Sequence, residues 1–277
     1  MIASDVDGTM LPRGGTISPG LRRAIELCRR RGIPFVIASG RWRGALENVI
    51  RQAGCEDMPI IIANGAAILG AEGKPLRERF IDDAAAQRTY DILRRFNVQI
   101  NAYLRGALYT LNTAALIRQS TMVKDYIGGE GYRLVVDDRA AFEAEALRGV
   151  YKLEAMTENC ALIAELHDAL RDTGLTVTHS SPRNVEIMAP GTGKGEALRW
   201  LAKRLGLSVG QCMAFGDSAN DIDLLSTAGW PVAMGNADED VRRISRIVAP
   251  ADSEDGVART LFEYVLKTEY KTEPLTP

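Results

Sequence analysis

Ile2-Ala3-Ser4-Asp5-Val6-Asp7-Gly8-Thr9 opens the chain with a short apolar strand that runs straight into two carboxylates. In α/β sheets, ligands bind at the carboxyl ends of the strands. Gly8 permits a sharp turn there. Asp5 and Asp7 can hold a hard cation through oxygen ligands. Alternatively, one can attack a substrate while the other moves a proton. A plain turn of favoured residues would read the same way in isolation.

The flanking sequence decides the fold. Ser18-Pro19 reads as an N-cap with Pro in the first helical position, followed by Leu21, Ala24, Ile25 and Cys28 at helical spacing and a stop at Gly32. Ile33–Ala38 and Ile60–Ala63 are short runs that are apolar throughout, separated by a helix ending near Ala53. Strands apolar on both faces and alternating with helices predict a mostly parallel, Rossmann-like α/β sheet with helices on both faces. Only four residues precede Asp5, so the first strand is expected to be short.

The middle changes character. Ala67–Glu78 predicts a hairpin. Helices are then expected over Ala84–Arg95, Ala114–Ile127, Arg139–Leu147 and Cys160–Arg171. Strands are expected over Val98–Leu104, Ala107–Leu111, Tyr132–Asp137, Val150–Met156, Leu175–His179 and Val185–Met188. The alternating pattern returns with a helix over Gly195–Leu205, a strand over Cys212–Phe215, a helix over Asn220–Ser226, strands over Pro231–Met234 and Arg246–Val248, and a final helix over Gly256–Leu266. The expected organisation is an α/β core of residues 1–81 and 188–277, interrupted by an inserted α+β module of residues 82–187.

Composition narrows the function. With 34 basic and 36 acidic residues the net charge is −2, which gives no basic excess for nucleic acid. No run of about 18 apolar residues predicts a membrane span, and no basic, then apolar, leader predicts a signal peptide. The four cysteines have no metal or redox spacing, and Cys28 and Cys212, in apolar periodic stretches, read as buried free thiols that fit a reducing cytoplasm. Oligomeric state is not legible.

Three further segments carry chemistry. In Gly216-Asp217-Ser218-Ala219-Asn220-Asp221, two carboxylates lie one helical turn apart after a buried strand. Ala219 stands where a calcium loop needs Asp or Asn. Gly193-Lys194-Gly195 lacks the leading Gly and the trailing Ser or Thr of a P-loop, but a Lys at a helix start suits an anion. Ser39-Gly40, at a strand-to-helix junction, offers a hydroxyl and backbone N–H groups to phosphate.

In this order, the segments resemble the haloacid dehalogenase superfamily, and within it the Cof-type phosphatases with a large inserted cap. Asp5–Thr9, Ser39-Gly40-Arg41, Lys194-Gly195 and Gly216–Asp221 match its four motifs, and Asn64-Gly65-Ala66 and Met234–Ala237 are similar to segments of the group. The resemblance implies an Mg²⁺-dependent phosphatase, with residues 1–81 and 188–277 as its catalytic core and residues 82–187 as its cap domain. Asp5 would attack phosphorus, and Asp7 would protonate the leaving group and then activate water. Ser39, Gly40, Lys194 and Asn220 would bind phosphate. Asp5, Asp7 (through its carbonyl), Asp217 and Asp221 would serve the metal. A small phosphorylated metabolite is the implied substrate, a sugar phosphate first. Pyridoxal phosphate, flavin mononucleotide and a phosphoglycerate ester are alternatives. Tyr103, Arg105, Arg183 and Asn184 are candidate cap contacts. A phosphomutase-like phosphotransferase and a non-catalytic phospho-ligand binder are the competing functions.

Overall fold

The computed structural model describes residues 1–12, 14–112 and 133–270. Fourteen strands form two sheets among these residues. In chain order they are β1 (Ile2–Ser4), β2 (Phe35–Ala38), β3 (Ile60–Ile62), β4 (Ala67–Leu69), β5 (Pro75–Glu78), β6 (Gln99–Tyr103) and β7 (Ala107–Leu111). They continue with β8 (Arg133–Val136), β9 (Lys152–Met156), β10 (Thr176–Thr178), β11 (Asn184–Met188), β12 (Met213–Gly216), β13 (Trp230–Ala233) and β14 (Ile247–Val248).

The first sheet has the order β14-β13-β12-β1-β2-β3-β4-β5. Its six strands from β14 to β3 are parallel, and the expected hairpin, β4 and β5, extends the edge antiparallel. The β1 strand is as short as expected and lies centrally, with Ile2 paired to Met213 on one side and Phe35 on the other. Helix α1 (Pro19–Arg30) starts where the sequence predicts. Ser18 Oγ accepts from Leu21 N at 2.8 Å and donates to Asp255 at 2.7 Å. Its buried stripe of Leu21, Ala24, Ile25 and Cys28 lies on the core.

The second sheet has the order β10-β11-β9-β6-β7-β8, antiparallel except for the β7–β8 pair. Side chains alternate between its faces. Ile100, Ala102, Leu153, Ala155, Val185 and Ile187 belong to a separate apolar core with Tyr90, Phe142, Leu166 and Leu170. The other alternation set is polar: Asn101, Lys152, Glu154, Asn184 and Glu186, each at most 5% exposed. The chain passes from the first sheet to the second after β5 and returns after β11.

Several boundaries differ from expectation. The helix predicted up to Ala53 is a 3₁₀ turn, Arg43–Leu46, and then a helix, Glu47–Ala53. Arg139–Leu147 makes one α-helical turn, capped by Asp138, and widens over Phe142–Ala146, which brings both Phe142 and Ala146 into the core. Leu261–Leu266 widens in the same manner. The expected helix Ala114–Ile127, the first residue of the expected strand Tyr132–Asp137, and the tail beyond Tyr270 lie outside the described residues. No helix among the described residues is long and apolar enough to cross a membrane.

Phe142 is fully buried between Tyr90 and Tyr109, with ring centroids 5.2 and 6.4 Å away. Phe142→Ala is therefore expected to destabilise the second sheet's unit by about 3–5 kcal/mol, read as a lower urea midpoint by circular dichroism.

Candidate active site

The loops that follow β1, β2, β3 and β12 converge with the start of helix α2 (Lys194–Arg204). The strands are neighbours in the sheet, so their carboxyl ends lie side by side. Asp5, 5% exposed, is the first residue past β1. Lys194 is 1% exposed, and its Nζ donates to Asp5 Oδ1 at 2.6 Å and Asp221 Oδ1 at 2.7 Å. Asp221 is wholly buried, and its Oδ2 accepts from the backbone N–H groups of Asp217 and Ser218 at 3.0 and 3.2 Å. It thereby fixes both the lysine and the loop that carries Asp217.

Asp217 accepts from Thr9 Oγ1 at 2.7 Å. The turn opposite it needs glycine. Gly8 has φ +76°, and a Cβ there would lie 2.5 Å from Asp217 Oδ2. Asn236 holds this turn by donating to the Gly8 carbonyl at 2.8 Å, which gives the Met234–Ala237 segment a structural purpose.

Asp5, Asp217 and Asp221 each place a carboxylate oxygen within 4.8 Å of the others. Burial raises the Asp5 carboxyl well above its ordinary value, and the nearby Asp221 adds to this against the pull of Lys194. Burial, then Asp221, pushes Asp217 up to about 7. Burial alone would lower Lys194, but Asp221 and Asp5 outweigh it and keep the ammonium charged. Three carboxylates facing one ammonium leave an excess of negative charge, and their all-oxygen donor set suits a divalent cation.

Asp7 stands apart. Its side chain is 56% exposed and paired with Arg41, whose Nη2 and Nε donate at 2.5 and 2.8 Å. Its carboxylate is therefore outside the three-carboxylate cluster. Ser39 is 1% exposed and its Oγ accepts from Arg41 N at 3.1 Å, so its own hydrogen can serve a bound oxygen. Asn220 Nδ2 points to Asn64 Oδ1 at 3.3 Å and to Glu186 at 3.5 Å.

Of the four candidate cap contacts, Tyr103 and Asn184 lie buried on the polar alternation set, and both donate to Glu154, at 2.6 and 2.8 Å. Arg105 and Arg183 do not join them. They are exposed, and each is paired with a carboxylate, Glu78 and Glu158 respectively.

Residues the sequence left without a role also sit here. Asn64 and its neighbours Ala63 and Gly65 all adopt positive φ, +54°, +48° and +92°. The strained turn is held by a close approach: a Cβ on Gly65 would lie 2.2 Å from the Gly193 carbonyl. Asn64-Gly65 was the signal for it. Lys152 and Glu186, from the second sheet, also reach this region and offered no local signal.

Residues 2–261 match the family model described as haloacid dehalogenase-like hydrolase. The chain is 28% identical to the phosphatase YwpJ of Bacillus subtilis, over 94% of this chain and 98% of that one. It is also 28% identical to the 5-amino-6-(5-phospho-D-ribitylamino)uracil phosphatase YcsE of the same organism, over 96% of each. A solved haloacid dehalogenase-like hydrolase from B. subtilis has the same fold, with a TM-score of 0.84 and 27% identity over 95% of this chain and 99% of that one. With its carboxylates and lysine gathered at the switch point of such a sheet, the chain belongs to the haloacid dehalogenase-like hydrolases and is a phosphoric monoester hydrolase of their Cof type.

Proposed function

We propose that the protein hydrolyses small phosphorylated metabolites through an aspartyl-phosphate on Asp5, with Mg²⁺ as its cation and residues 82–187 as its cap. The observation that carries this reading is the buried Lys194, ion-paired at once to Asp5 and to Asp221. A lysine in that position neutralises the nucleophile's surroundings as a dianionic phosphate approaches. The uncatalysed reaction is among the slowest known, and its transition state needs in-line positioning and positive charge on the equatorial oxygens.

In this reading Lys194 engages Asp5 Oδ1 and leaves Oδ2 to attack phosphorus. The ester P–O bond breaks as the Asp5 O–P bond forms, and the leaving oxygen takes a proton from Asp7. Asp7 then accepts a proton from water as that water attacks the phosphorus of the aspartyl-phosphate and releases Asp5. Arg41 orients the Asp7 carboxyl between the two steps. Ser39 Oγ, the Gly40 backbone, Asn220 and Lys194 bind the phosphoryl oxygens. Asp5, Asp217 and the Asp7 carbonyl would hold Mg²⁺, while Asp221, with Oδ1 on Lys194 and Oδ2 on two backbone N–H groups, chiefly orients. The cation supplies charge that offsets the repulsion between the carboxylates and the phosphate.

A sugar- or polyol-phosphate substrate is favoured. The polar cap set of Asn101, Glu154 and Asn184 offers hydrogen-bonding groups suited to hydroxyls, and the 28% identical relative YcsE is named for a phosphorylated ribityl compound.

Two outcomes are expected. Across a panel of phosphorylated metabolites and an aryl phosphate, Mg²⁺-dependent phosphate release is expected from the wild type. It should fall at least about a thousandfold in Asp5→Asn, and equal activity in that variant would overturn the assignment. Stability should also report the cation. The metal-free fold holds an extra proton on Asp217 between the ordinary value of 3.8 and about 7, so it loses stability as pH rises through that window. Saturating Mg²⁺ should therefore raise the melting temperature more at about pH 8 than at about pH 5, and Asp217→Asn should erase the difference. Differential scanning fluorimetry with and without a chelator measures it.

A further inference from the structure

Two opposite charges are buried outside the acidic cluster, and both come from the cap. Lys152 on β9 and Glu186 on β11 are each 2% exposed, with Nζ and Oε1 2.5 Å apart. Apart from the Tyr103 ring, which belongs to the cap, their remaining contacts cross to the core. Lys152 Nζ donates to the Gly40 carbonyl at 2.7 Å and stands 4.2 Å from the Tyr103 ring centroid. Glu186 accepts from Asn64 Nδ2 at 3.0 Å and from Asn220 Nδ2 at 3.5 Å. The approach is close: a Cβ on Gly40 would lie 2.8 Å from Asn64 Oδ1 and 3.3 Å from Glu186 Oε1. One cap ion pair therefore touches the loops after β2, β3 and β12, and the loops after β2 and β12 present the phosphate-binding candidates Ser39, Gly40 and Asn220.

Stability does not account for this pair. Desolvating two charges costs more than their attraction returns in many proteins, and apolar replacements are often neutral or stabilising. The opposite face of the same sheet is apolar and packs well. What the pair has is a dependence on the cap's position. With the cap seated, Gly40, Asn64 and Asn220 complete the hydrogen bonding of both charged groups. With the cap lifted, those partners are lost and water replaces them. Burial pushes the Glu186 carboxyl up, but Lys152 and the Asn64 amide outweigh it and hold it below the ordinary carboxylate range, so it is an anion when seated.

We propose that Lys152 and Glu186 form a latch that seats the cap on the core and, in doing so, positions Asn64 and Asn220 for the phosphate. They are positioning residues, and the kinetic half of this inference rests on the proposed phosphatase mechanism. Closure then does two things at once: it covers the site, and it supplies the acceptor that fixes the Asn220 amide. Assembly of a site by closure ties catalysis to the bound substrate.

The molecule carries its own reporter. Trp42, 1% exposed, packs with Tyr103 and Leu108 of the cap. Of the chain's three tryptophans, Trp200 and Trp230 can be replaced by Phe to leave Trp42 alone. On that full-length background, Glu186→Gln is expected to shift Trp42 emission to the red without substrate. The same change should lower kcat/KM by about 10- to 100-fold with a loss in kcat, whereas damage to packing alone would lower the melting temperature and leave both kinetic constants in place. Glu186→Asp should restore part of both signals. The charge-free pair, Lys152→Met with Glu186→Leu, is the control for folding: it should melt at or above the wild type and still turn over slowly, because Asn64 loses its carboxylate acceptor and Asn220 keeps only the Asn64 carbonyl. Unchanged emission and kinetics in Glu186→Gln, or wild-type turnover in the charge-free pair, overturns the latch. If the wild type hydrolyses no phosphate ester, the phosphatase reading fails separately, and the Trp42 emission of Glu186→Gln still decides whether the pair seats the cap.

Discussion

Lys194 keeps a full charge where it is 1% exposed because Asp5 and Asp221 lie 2.6 and 2.7 Å away. An ammonium alone at that depth would give up its proton. Two carboxylates more than compensate, and Asp217 adds a third negative charge to the cluster. The arrangement is thus stable as a unit and incomplete as a charge balance. Its surplus is relieved either by protons, which is why burial holds Asp217 up near 7, or by a cation. The same surplus would repel a phosphate, so the cation and the lysine belong to substrate binding as much as to folding.

The sheet makes such a cluster possible. Residues far apart in sequence arrive together because β12, β1, β2 and β3 are neighbours in one parallel sheet, and every loop leaving their carboxyl ends emerges on the same edge. The loops are then tied to one another. Asp217 accepts from Thr9, Asn236 holds Gly8, Asn64 N donates to the Ser39 carbonyl at 3.0 Å, and Gly65 lies against Gly193. Each tie fixes one loop by reference to the next. A rigid site results even though little of it is helix or strand.

Much of this was legible because its causes are local. Asp5, Ser39, Lys194 and Asp217 sit at junctions where apolar runs end and small residues begin, and a motif records that. The parallel sheet follows from runs that are apolar on both faces. Arg41 was visible only as a neighbour of Ser39-Gly40, since its partner Asp7 is 34 residues away. The latch residues were hidden for a different reason. Lys152-Leu153-Glu154-Ala155-Met156 and Asn184-Val185-Glu186-Ile187-Met188 alternate polar with apolar, the pattern of a sheet with one face in water. Here the polar face is buried against the core, so the pattern gives the right strands and the wrong solvent. The helix over Arg139–Leu147 forms as expected, but the sequence did not show that its turns widen over Phe142–Ala146, which lets Phe142 and Ala146 share one core.

That buried polar face is the point where the two sheets have different requirements. An apolar face would hold the cap shut as part of one core, and the site beneath would exchange neither substrate nor product. A face of Asn101, Lys152, Glu154, Asn184 and Glu186 can be wet or dry, because Lys152 and Glu186 find either water or partners in the opposite surface, while Asn101 and Asn184 bond to Glu154 within the sheet itself. Its free energy therefore varies little with closure compared with that of an apolar core, and a ligand needs only modest differential contacts to bias the balance. An interface required to open repeatedly is best made from groups that bond well in both states. The apolar cores behind each sheet, which never part, carry the stability instead.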